Sequence, residues 1–454
     1  MNDFKEYQDF LNNKRQLSGN FGFKPVFMPD YLFDFQKYLV EWALVKGKSA
    51  IFADTGLGKT IIQLSYAENI VRKTNKNVLL LTPIAVGFQI KNESEKFGIE
   101  TGRSRDGKTN TKITITNYEQ LEKFNPDDFI AIVADESSII KNFGGQTRKN
   151  LTRFCSKMKY RLLLTATPSP NDFVELGTSS EVLGELKYMD MVSQFFRDTQ
   201  NDKNPQWSTP KYELKKHAIN DFWRWVSSWS RALKKPSDLG FDDTRFILPK
   251  LYEKEIIVKC STPPPGELFP RVAETLTEQK EERKRTLEQR VEMVEKQCLK
   301  FEKSVIWAHY NYETDYIEKN IKNAIQVSGN DSPDEKEEKF IAFISGEIKR
   351  LIIKPKIGAF GMNWQHCNHM TFFPSHSYEQ YYQGVRRCWR FGQKKPVFVD
   401  IISSDGEKAI MKNIQRKTNQ AQEMFAKLIY YMNDSLKIKV KNESFDKINL
   451  PEFI

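Results

Sequence analysis

The sequence predicts an α/β chain built on two parallel sheets, with an aromatic-rich helical stretch between them. Three observations carry this expectation. Continuous apolar runs such as Val78-Leu79-Leu80-Leu81 and Phe129-Ile130-Ala131-Ile132-Val133-Ala134 alternate with helical stretches, the pattern of strands covered on both faces. That rhythm stops near residue 171 and resumes near 254, which divides the chain into two α/β units. Between the first strand and the first long helix stands the octet Ala53-Asp54-Thr55-Gly56-Leu57-Gly58-Lys59-Thr60, at a strand end where such sheets gather their ligands.

In chain order, residues 1 to about 28 read as a charged helix and a Gly/Pro-bearing connector. Tyr31 to Leu44 is an amphipathic helix that carries Gln36. The Gln36 amide offers one donor and one acceptor side, the pair that reads an adenine edge; a solvated glutamine is the plain alternative. Ser49-Ala50-Ile51-Phe52 is a buried strand, and Ile61, Ile62 and Leu64 recur at helical spacing behind the octet. A glycine-bearing strand-to-helix turn wraps phosphates with successive backbone N–H groups, and the helix dipole adds to the attraction. Lys59 would reach the β- and γ-phosphates, and the Thr60 hydroxyl would hold Mg²⁺. A glycine turn with a surface lysine is the alternative.

The next strands all end on polar residues. Val78–Leu81 ends in Thr82-Pro83, with a helix from about Gly87 to Phe97 behind it. Ile113-Thr114-Ile115-Thr116 leads into Asn117-Tyr118, the run 129–134 ends on Asp135-Glu136, and Tyr160–Leu164 ends on Thr165-Ala166-Thr167-Pro168. A carboxylate at a strand tip beside a phosphate loop suits Mg²⁺ held through water, the role assigned to Asp135. Glu136 can polarise the water that attacks the γ-phosphate. Without the phosphate loop upstream, the same pair would read as a helix cap.

From about 171 to 245 the pattern breaks, and Trp207, Trp223, Trp225 and Trp229 crowd together. Phe222, Val226, Trp229 and Leu233 recur at i, i+4, i+7 and i+11, so a packed helical subdomain is preferred over base stacking. Lysines 211, 215, 216, 234 and 235 with Arg224 and Arg231 add positive charge. Pro263-Pro264-Pro265-Gly266 marks a turn, and Thr275 to about Lys303 reads as one solvated, charge-laced helix with i, i+4 pairs.

The second unit takes its strands from Lys254–Val258, Ser304–Ala308, Ala324–Val327, Arg350–Ile353, His369–Phe373 and Val397–Ile402, the last expected to close the sheet. Gly358 to Asn363 is a turn of close backbone approach, and Tyr378 to Arg390 is a helix. Arg387 and Arg390, three apart, share a face of that helix and are suited to a γ-phosphate, as arginine fingers are. His366-Cys367-x-His369 matches no standard zinc spacing. Residues after about 405 read as a helix and a basic, frayed tail.

Lysine and arginine total 70 against 59 acids, and the net charge of +11 points to a polyanionic partner, nucleic acid first. The five cysteines show no C-x-x-C spacing, so neither a disulfide framework nor a zinc ribbon is indicated and a reducing cytoplasm fits. Met1–Glu6 is charged and precedes no apolar run, so no secretory leader is expected. No stretch of about 18 apolar residues occurs, which excludes a membrane-spanning helix.

Taken together and in order, these motifs resemble superfamily two helicases, specifically the Swi/Snf-like branch. The carrying residues are Phe35-Gln36, Ala53 to Thr60, Thr82-Pro83, Ile115 to Glu119, Asp135 to Asn142, Leu164 to Asn171, Gly358 to Asn363, and Gln383-x-x-x-Arg387-x-x-Arg390-x-Gly392-Gln393. Ala53 in place of the first glycine suits a helicase loop better than a kinase or a small GTPase. The versions Lys354-Pro355-Lys356, Asn363-Trp364-Gln365 and Arg386 to Gln393 look most like the compact DEAD/DEAH-type helicases of bacteriophages and prophages.

The resemblance implies two tandem RecA-like parallel-sheet lobes with a helical insertion between them. It implies an N-terminal extension at 1–30, a first lobe at 31–172 and an insertion at 173–245. A second lobe at 246–405, with a helical insert near 263–303, and a C-terminal helix and tail at 406–454 complete the chain. ATP with Mg²⁺ would sit between the lobes. The implied nucleotide contacts are Gln36, residues 53–60, Gly361 and Gln383. Lys59, Asp135, Glu136, Arg387 and Arg390 would be catalytic, with Thr60 and Asp135 on the metal. Thr82, Pro83, Thr116, Asn117 and Lys356 would touch DNA, and Thr165 and Thr167 would couple the two sites.

Two departures stand out: Ser137-Ser138 replaces the usual small residue and histidine, and Pro355 and Ala359 replace a threonine and a glycine. The implied activity is a DNA-dependent ATPase that translocates on single-stranded, duplex or forked DNA in a bacterial host cytoplasm, alongside phage nuclease or replication proteins. The alternatives are a nucleotide-gated DNA-binding scaffold without strand separation and, third, an RNA helicase.

Overall fold

The computed structural model describes residues 19–83, 86–141, 144–169, 172–199, 212–259, 275–358 and 362–436. Gly361, Asn142, Pro170, Asn171, Trp207, Lys211, the turn at 263–266 and the tail from 437 lie outside the described residues. The chain divides into two units. Of the described residues, the first unit holds those up to Phe246 and those from Gln420 onward, and the second holds Ile247–Asn419.

The first unit is a seven-stranded parallel sheet. Its elements run α1 (Asp34–Lys46), β1 (Lys48–Ala53), α2 (Lys59–Thr74), β2 (Asn77–Thr82), α3 (Gly87–Lys96), β3 (Gly102–Arg103), β4 (Ile113–Asn117), β5 (Phe129–Asp135), α4 (Gln146–Cys155) and β6 (Tyr160–Thr165). The segment 173–245 follows as α5 (Leu176–Leu183), α6 (Tyr188–Phe195), the β7 (Phe196–Asp198) and β8 (Tyr212–Leu214) hairpin, α7 (Ile219–Trp229) and β9 (Ser230–Leu233). Spatial order is β3-β4-β2-β5-β6-β1-β9. Strands β1, β2, β5 and β6 are buried almost throughout, as their unbroken apolar composition requires of a sheet covered on both faces.

The aromatic-rich segment is helical and belongs to this unit's core. Trp223, Trp225 and Trp229 are fully buried, and Trp229 meets Phe52 of β1 edge-on with ring centroids 6.1 Å apart. Packing therefore prevails over base stacking here. The expected helical face ending in Leu233 is corrected: α7 stops at Trp229, and Ser230–Leu233 runs parallel to β1 as the sheet's edge strand, with Leu233 opposite Ala53. Arg231 and its neighbours continue the apolar spacing by coincidence, and strand pairing overrides it.

The second unit is a six-stranded parallel sheet. It comprises β10 (Leu251–Val258), α8 (Leu276–Arg285), α9 (Leu287–Cys298), β11 (Ser304–Trp307), α10 (Asn311–Asn320), β12 (Ala324–Val327), α11 (Pro333–Ser345), β13 (Arg350–Ile353), α12 (Pro355–Gly358), β14 (His369–Phe372), α13 (Tyr378–Cys388) and β15 (Val397–Ser404). A final helix, α14 (Lys408–Leu436), lends Ile410, Met411 and Ile414 to this unit's core and Met424, Phe425 and Leu428 to the first unit's. The order β10-β15-β14-β11-β13-β12 puts β10, not β15, at the sheet's edge. Both sheets are parallel throughout, as the alternation of apolar runs and helices predicts.

The solvated helix expected over 275–303 is also corrected. It breaks at Thr286 into α8 and α9, and Glu282, Arg283 and Arg290 are buried. Arg283 Nε lies 3.0 Å from Glu407 and its Nη1 lies 3.3 Å from Glu313, while Arg290 pairs with the other Glu407 oxygen. Charges that pair with residues far along the chain leave the same sequence pattern as charges facing water.

Candidate nucleotide and nucleic-acid site

The first half of the site grows from the sheet register. Leu81 is opposite both Thr116 and Ala134, Asp135 is opposite Leu164, and Phe52 is opposite Thr165. Parallel, in-register strands thus end in one row, and each brings its polar terminus to the same edge.

After β1 the chain turns through Gly56 (φ +86°) and Gly58 (φ +77°), left-handed conformations that favour glycine. Gly58 is the N-cap of α2 and gives no side-chain cap, and the first turn of α2 holds no acidic residue. Its leading N–H groups and dipole are thus left for an external anion. Space also demands glycine: a Cβ on Gly58 would come within 2.3 Å of Gln36 Nε2. Lys59 Nζ folds back to donate to the carbonyls of Ala53 (2.9 Å) and Asp54 (3.3 Å). The Asp54 carboxylate accepts from Thr55 N (2.6 Å), Thr55 keeps a buried hydroxyl with no partner, and Thr60 is half-buried in the first turn of α2. Leu57 is buried under the loop.

Gln36 stands directly against this loop. Its Nε2 donates to Leu57 O (3.0 Å) and its Oε1 accepts from Phe33 N (3.1 Å), so both sides of the amide are engaged.

Asp135 and Glu136 close β5, both buried. Burial, then the neighbouring Glu136 charge, pushes the Asp135 carboxyl up; Lys59, the Glu136 backbone N–H and the Gln63 amide pull it down. Lys59 and Asp135 therefore feel each other across the loop. Glu136 has φ +50°, a strained conformation for a residue with a Cβ, of the kind that collects at working sites. Thr165 Oγ1 donates to Glu136 Oε2 (3.3 Å) and accepts from Thr167 N (3.0 Å), joining both threonines to the acid pair. Ser137 and Ser138 keep buried hydroxyls without hydrogen-bond partners.

A shallow cleft lies along the ends of β2 and β4, lined by Thr82, Pro83, Thr116 and Asn117 together with Arg103 of β3 and Ser104 and Arg105 after it. All four first-unit residues expected to touch DNA meet there. The residues that sequence reasoning missed are these two arginines, Gln63, and Tyr118, whose hydroxyl donates to the Asp135 carbonyl (2.6 Å). Tyr118 was signalled only by its place after a strand-ending Asn117.

In the second unit, Ser377 caps α13 by accepting from Gln380 N (3.3 Å). Arg387 is buried, donating from Nε to Gln383 O (3.0 Å) and from Nη1 to Met362 O (3.1 Å). Arg390 Nη1 reaches the same Met362 carbonyl (3.4 Å). The two guanidiniums converge as expected of neighbours, with one correction: α13 ends at Cys388, so Arg390 lies in the turn beyond it. Gln383 is fully buried, and Lys356 is exposed on α12. His369 bonds Ser304 Oγ (2.8 Å) and Asp400 (3.2 Å) inside the sheet rather than joining a ligand cluster with His366. Among the described residues no helix is long and apolar enough to cross a membrane.

The donor set fits a magnesium nucleotide. An uncapped helix N-terminus and a lysine suit phosphates, and a hydroxyl with a strand-tip carboxylate suits a hard, water-retaining cation.

The family model for the type III restriction enzyme res subunit matches residues 34–170, and that for the helicase conserved C-terminal domain matches 283–392. Helicase swr1 of Schizosaccharomyces pombe is 30% identical over 168 residues, 32% of this chain, which spans only 13% of that protein. The Sulfolobus solfataricus SWI2/SNF2 ATPase core in complex with dsDNA is 17% identical and covers 91% of this chain and 97% of its own, at a TM-score of 0.42, too loose a superposition to bear on function. The two family matches fall one on each sheet unit, so each unit is similar to one part of the helicase-type enzymes that those models describe.

Proposed function

We propose that the protein is a DNA-stimulated ATPase of the Swi/Snf-like type that translocates on DNA. The observation that carries the reading is the shared strand edge of the first unit. Lys59, Thr60, Asp135 and Glu136 stand on it, and so do Thr82, Thr116 and Asn117 of the cleft. A phosphate chain and a nucleotide would thus engage the same row of strand ends.

Bound ATP with Mg²⁺ supplies the scissile phosphoanhydride and a charge that neutralises its oxygens. The backbone N–H groups of residues 54–60 bind phosphate, and Lys59 exchanges its carbonyl partners for phosphate oxygens. Thr60 and Asp135 would hold the cation, and Glu136 orients water and takes its proton. Thr165, itself held by the Thr167 amide, keeps the Glu136 carboxylate in place. Gln36 positions the base, Gln383 and Gly361 would contribute nucleotide contacts, and Arg387 and Arg390 would stabilise charge spread in the transition state. Thr82, Pro83, Thr116, Asn117 and Lys356 grip the DNA backbone, so affinity is set by phosphates rather than base edges. The phage-like wording of residues 386–393 favours a role in bacteriophage or prophage DNA replication or recombination in a host cytoplasm.

The test is ATP turnover with no DNA, single-stranded DNA, duplex and fork, for the wild type and Lys59→Ala. DNA should stimulate the wild type, and the variant should lose about 100-fold or more. Turnover indifferent to DNA, or intact in Lys59→Ala, would overturn the proposal.

A further inference from the structure

We propose that the cleft at the ends of β2 and β4 takes an unpaired stretch of DNA strand, with Arg103 and Arg105 on its phosphates and Phe88 stacked on a base. This rests on the reading of the protein as a DNA-stimulated ATPase and names the form of DNA that this face holds.

Four observations converge. First, the cleft wall combines Thr82, Ser104, Thr116 and Asn117 with two exposed guanidiniums, a set of neutral donors and cations suited to consecutive phosphates. Second, Thr116 is only 4% exposed, yet its hydroxyl has no partner, an unsatisfied group on the wall of the cleft.

Third, the arginine loop is built in place. Ser104 N donates to Ile115 O (3.0 Å), Lys123 Nζ donates to Arg105 O (3.0 Å), and Ser104 Oγ donates to Asp106 (3.1 Å). Gly107, at φ +89°, lies so close to Lys123 that a Cβ there would meet its carbonyl oxygen at 2.4 Å. Asp106 offsets one charge of the loop, and Lys108 pairs with it at 3.6 Å. Arg103, Arg105 and Lys123 therefore outweigh it beside the cleft. A cation loop held by backbone bonds loses little freedom when it takes up a phosphate.

Fourth, Phe88 follows Gly87 of the cleft wall and leaves 37% of its surface exposed, with the Arg103 guanidinium 5.9 Å from its ring centroid. The first turn of α3 buries Gly87 and Ile90, with Val86 buried at its N-cap, while Phe88 stands on the more exposed side. An exposed ring beside an arginine is an arrangement that binds single strands, where bases stack on aromatics while lysine and arginine follow the backbone. In a duplex the bases are stacked on each other and no face is offered to the ring.

The test is fluorescence anisotropy of the full chain, without nucleotide, on a 20-mer single strand, the same strand carrying abasic residues, and the duplex. These run beside DNA-free ATPase for the wild type, Phe88→Ala, Phe88→Tyr and Arg105→Ala. Phe88→Ala should weaken single-strand binding about tenfold and leave duplex and abasic-strand binding unchanged, while Phe88→Tyr retains wild-type affinity. Arg105→Ala should weaken all three and lower the salt slope by about one. DNA-free turnover should be unaltered in Phe88→Ala and Phe88→Tyr. If the wild type binds and is stimulated by DNA but Phe88→Ala binds the single strand as well as before, the single-strand proposal is overturned and the ATPase reading stands. If the wild type binds none of the three, both are overturned.

Discussion

Glu407→Gln should cost the second unit about 3–5 kcal/mol of stability. Glu407 is fully buried, with Arg283 Nε 3.0 Å from one oxygen, Arg290 on the other, and Ser404 N donating to it at 3.1 Å. Arg283 also reaches Glu313, whose second oxygen accepts from His309 N (2.8 Å) and Tyr310 N (3.1 Å). The four charges of Arg283, Arg290, Glu313 and Glu407 cancel. Glutamine keeps the shape and one acceptor but removes a charge, leaving two guanidiniums against one carboxylate. Coulomb attraction at 3.0 Å is about 5 kcal/mol with an effective dielectric near 20, which agrees with the measured cost of breaking buried pairs. Arg290→Met alone should cost a similar amount by leaving an excess carboxylate. The double variant is balanced again and should cost about 2 kcal/mol or more below the sum. Urea unfolding followed by amide exchange of β11 and β14 would read the second unit separately from the first. A Glu407→Gln shift below about 1 kcal/mol, or strict additivity in the cycle, would refute the charge-balance reasoning.

Two further predictions concern protons and the acid pair. Burial, then the Arg283 charge, pushes the His309 imidazole down to about 3, and its Nε2 donates to Phe373 O at 2.8 Å. The unfolded chain binds that proton more readily, so the stability it represents is full above pH ~6.5 and falls as the pH drops towards 3. A loss of about 1–2 kcal/mol by pH 5 is expected, flattened in His309→Gln; an unchanged slope in that variant would rule the assignment out. Tyr118→Phe leaves the Asp135 carbonyl without its 2.6 Å donor and should lower DNA-stimulated turnover about tenfold while DNA affinity holds; equal stimulated rates would show that the contact is only structural.

What could be read in advance follows from how far apart the interacting residues lie. The phosphate loop and Asp135-Glu136 were legible because each interrupts an apolar strand with an abrupt polar end, a purely local signal. Arg283 and Arg290 were misread as solvated because their partner Glu407 stands 117 residues from Arg290, and a 3.6-residue period cannot distinguish water from a distant carboxylate. Leu233 was assigned to a helix face since its spacing fits one; only pairing with Ala53 reveals a strand. Arg103 and Arg105 escaped notice because β3 is two residues long and carries no period at all. Trp223, Trp225 and Trp229 declared a packed helix by mass alone, but nothing in them foretold which sheet they would cover.

The row of strand ends also supplies a chain of contacts between the cleft and the acid pair that does not pass through Ser137-Ser138. Those two hydroxyls have no partners, so they carry no contact onward. Thr116 and Asn117 line the cleft, and the next residue, Tyr118, holds the Asp135 carbonyl through its hydroxyl. From Glu136 the contacts continue to Thr165 and the Thr167 amide. Any shift of the β4 terminus on gripping a strand must therefore move a group bonded to the β5 tip, one residue from the strained Glu136. Tyr118→Phe therefore removes the side-chain link between the β4 terminus and the β5 tip without altering a residue of the cleft wall or of the acid pair.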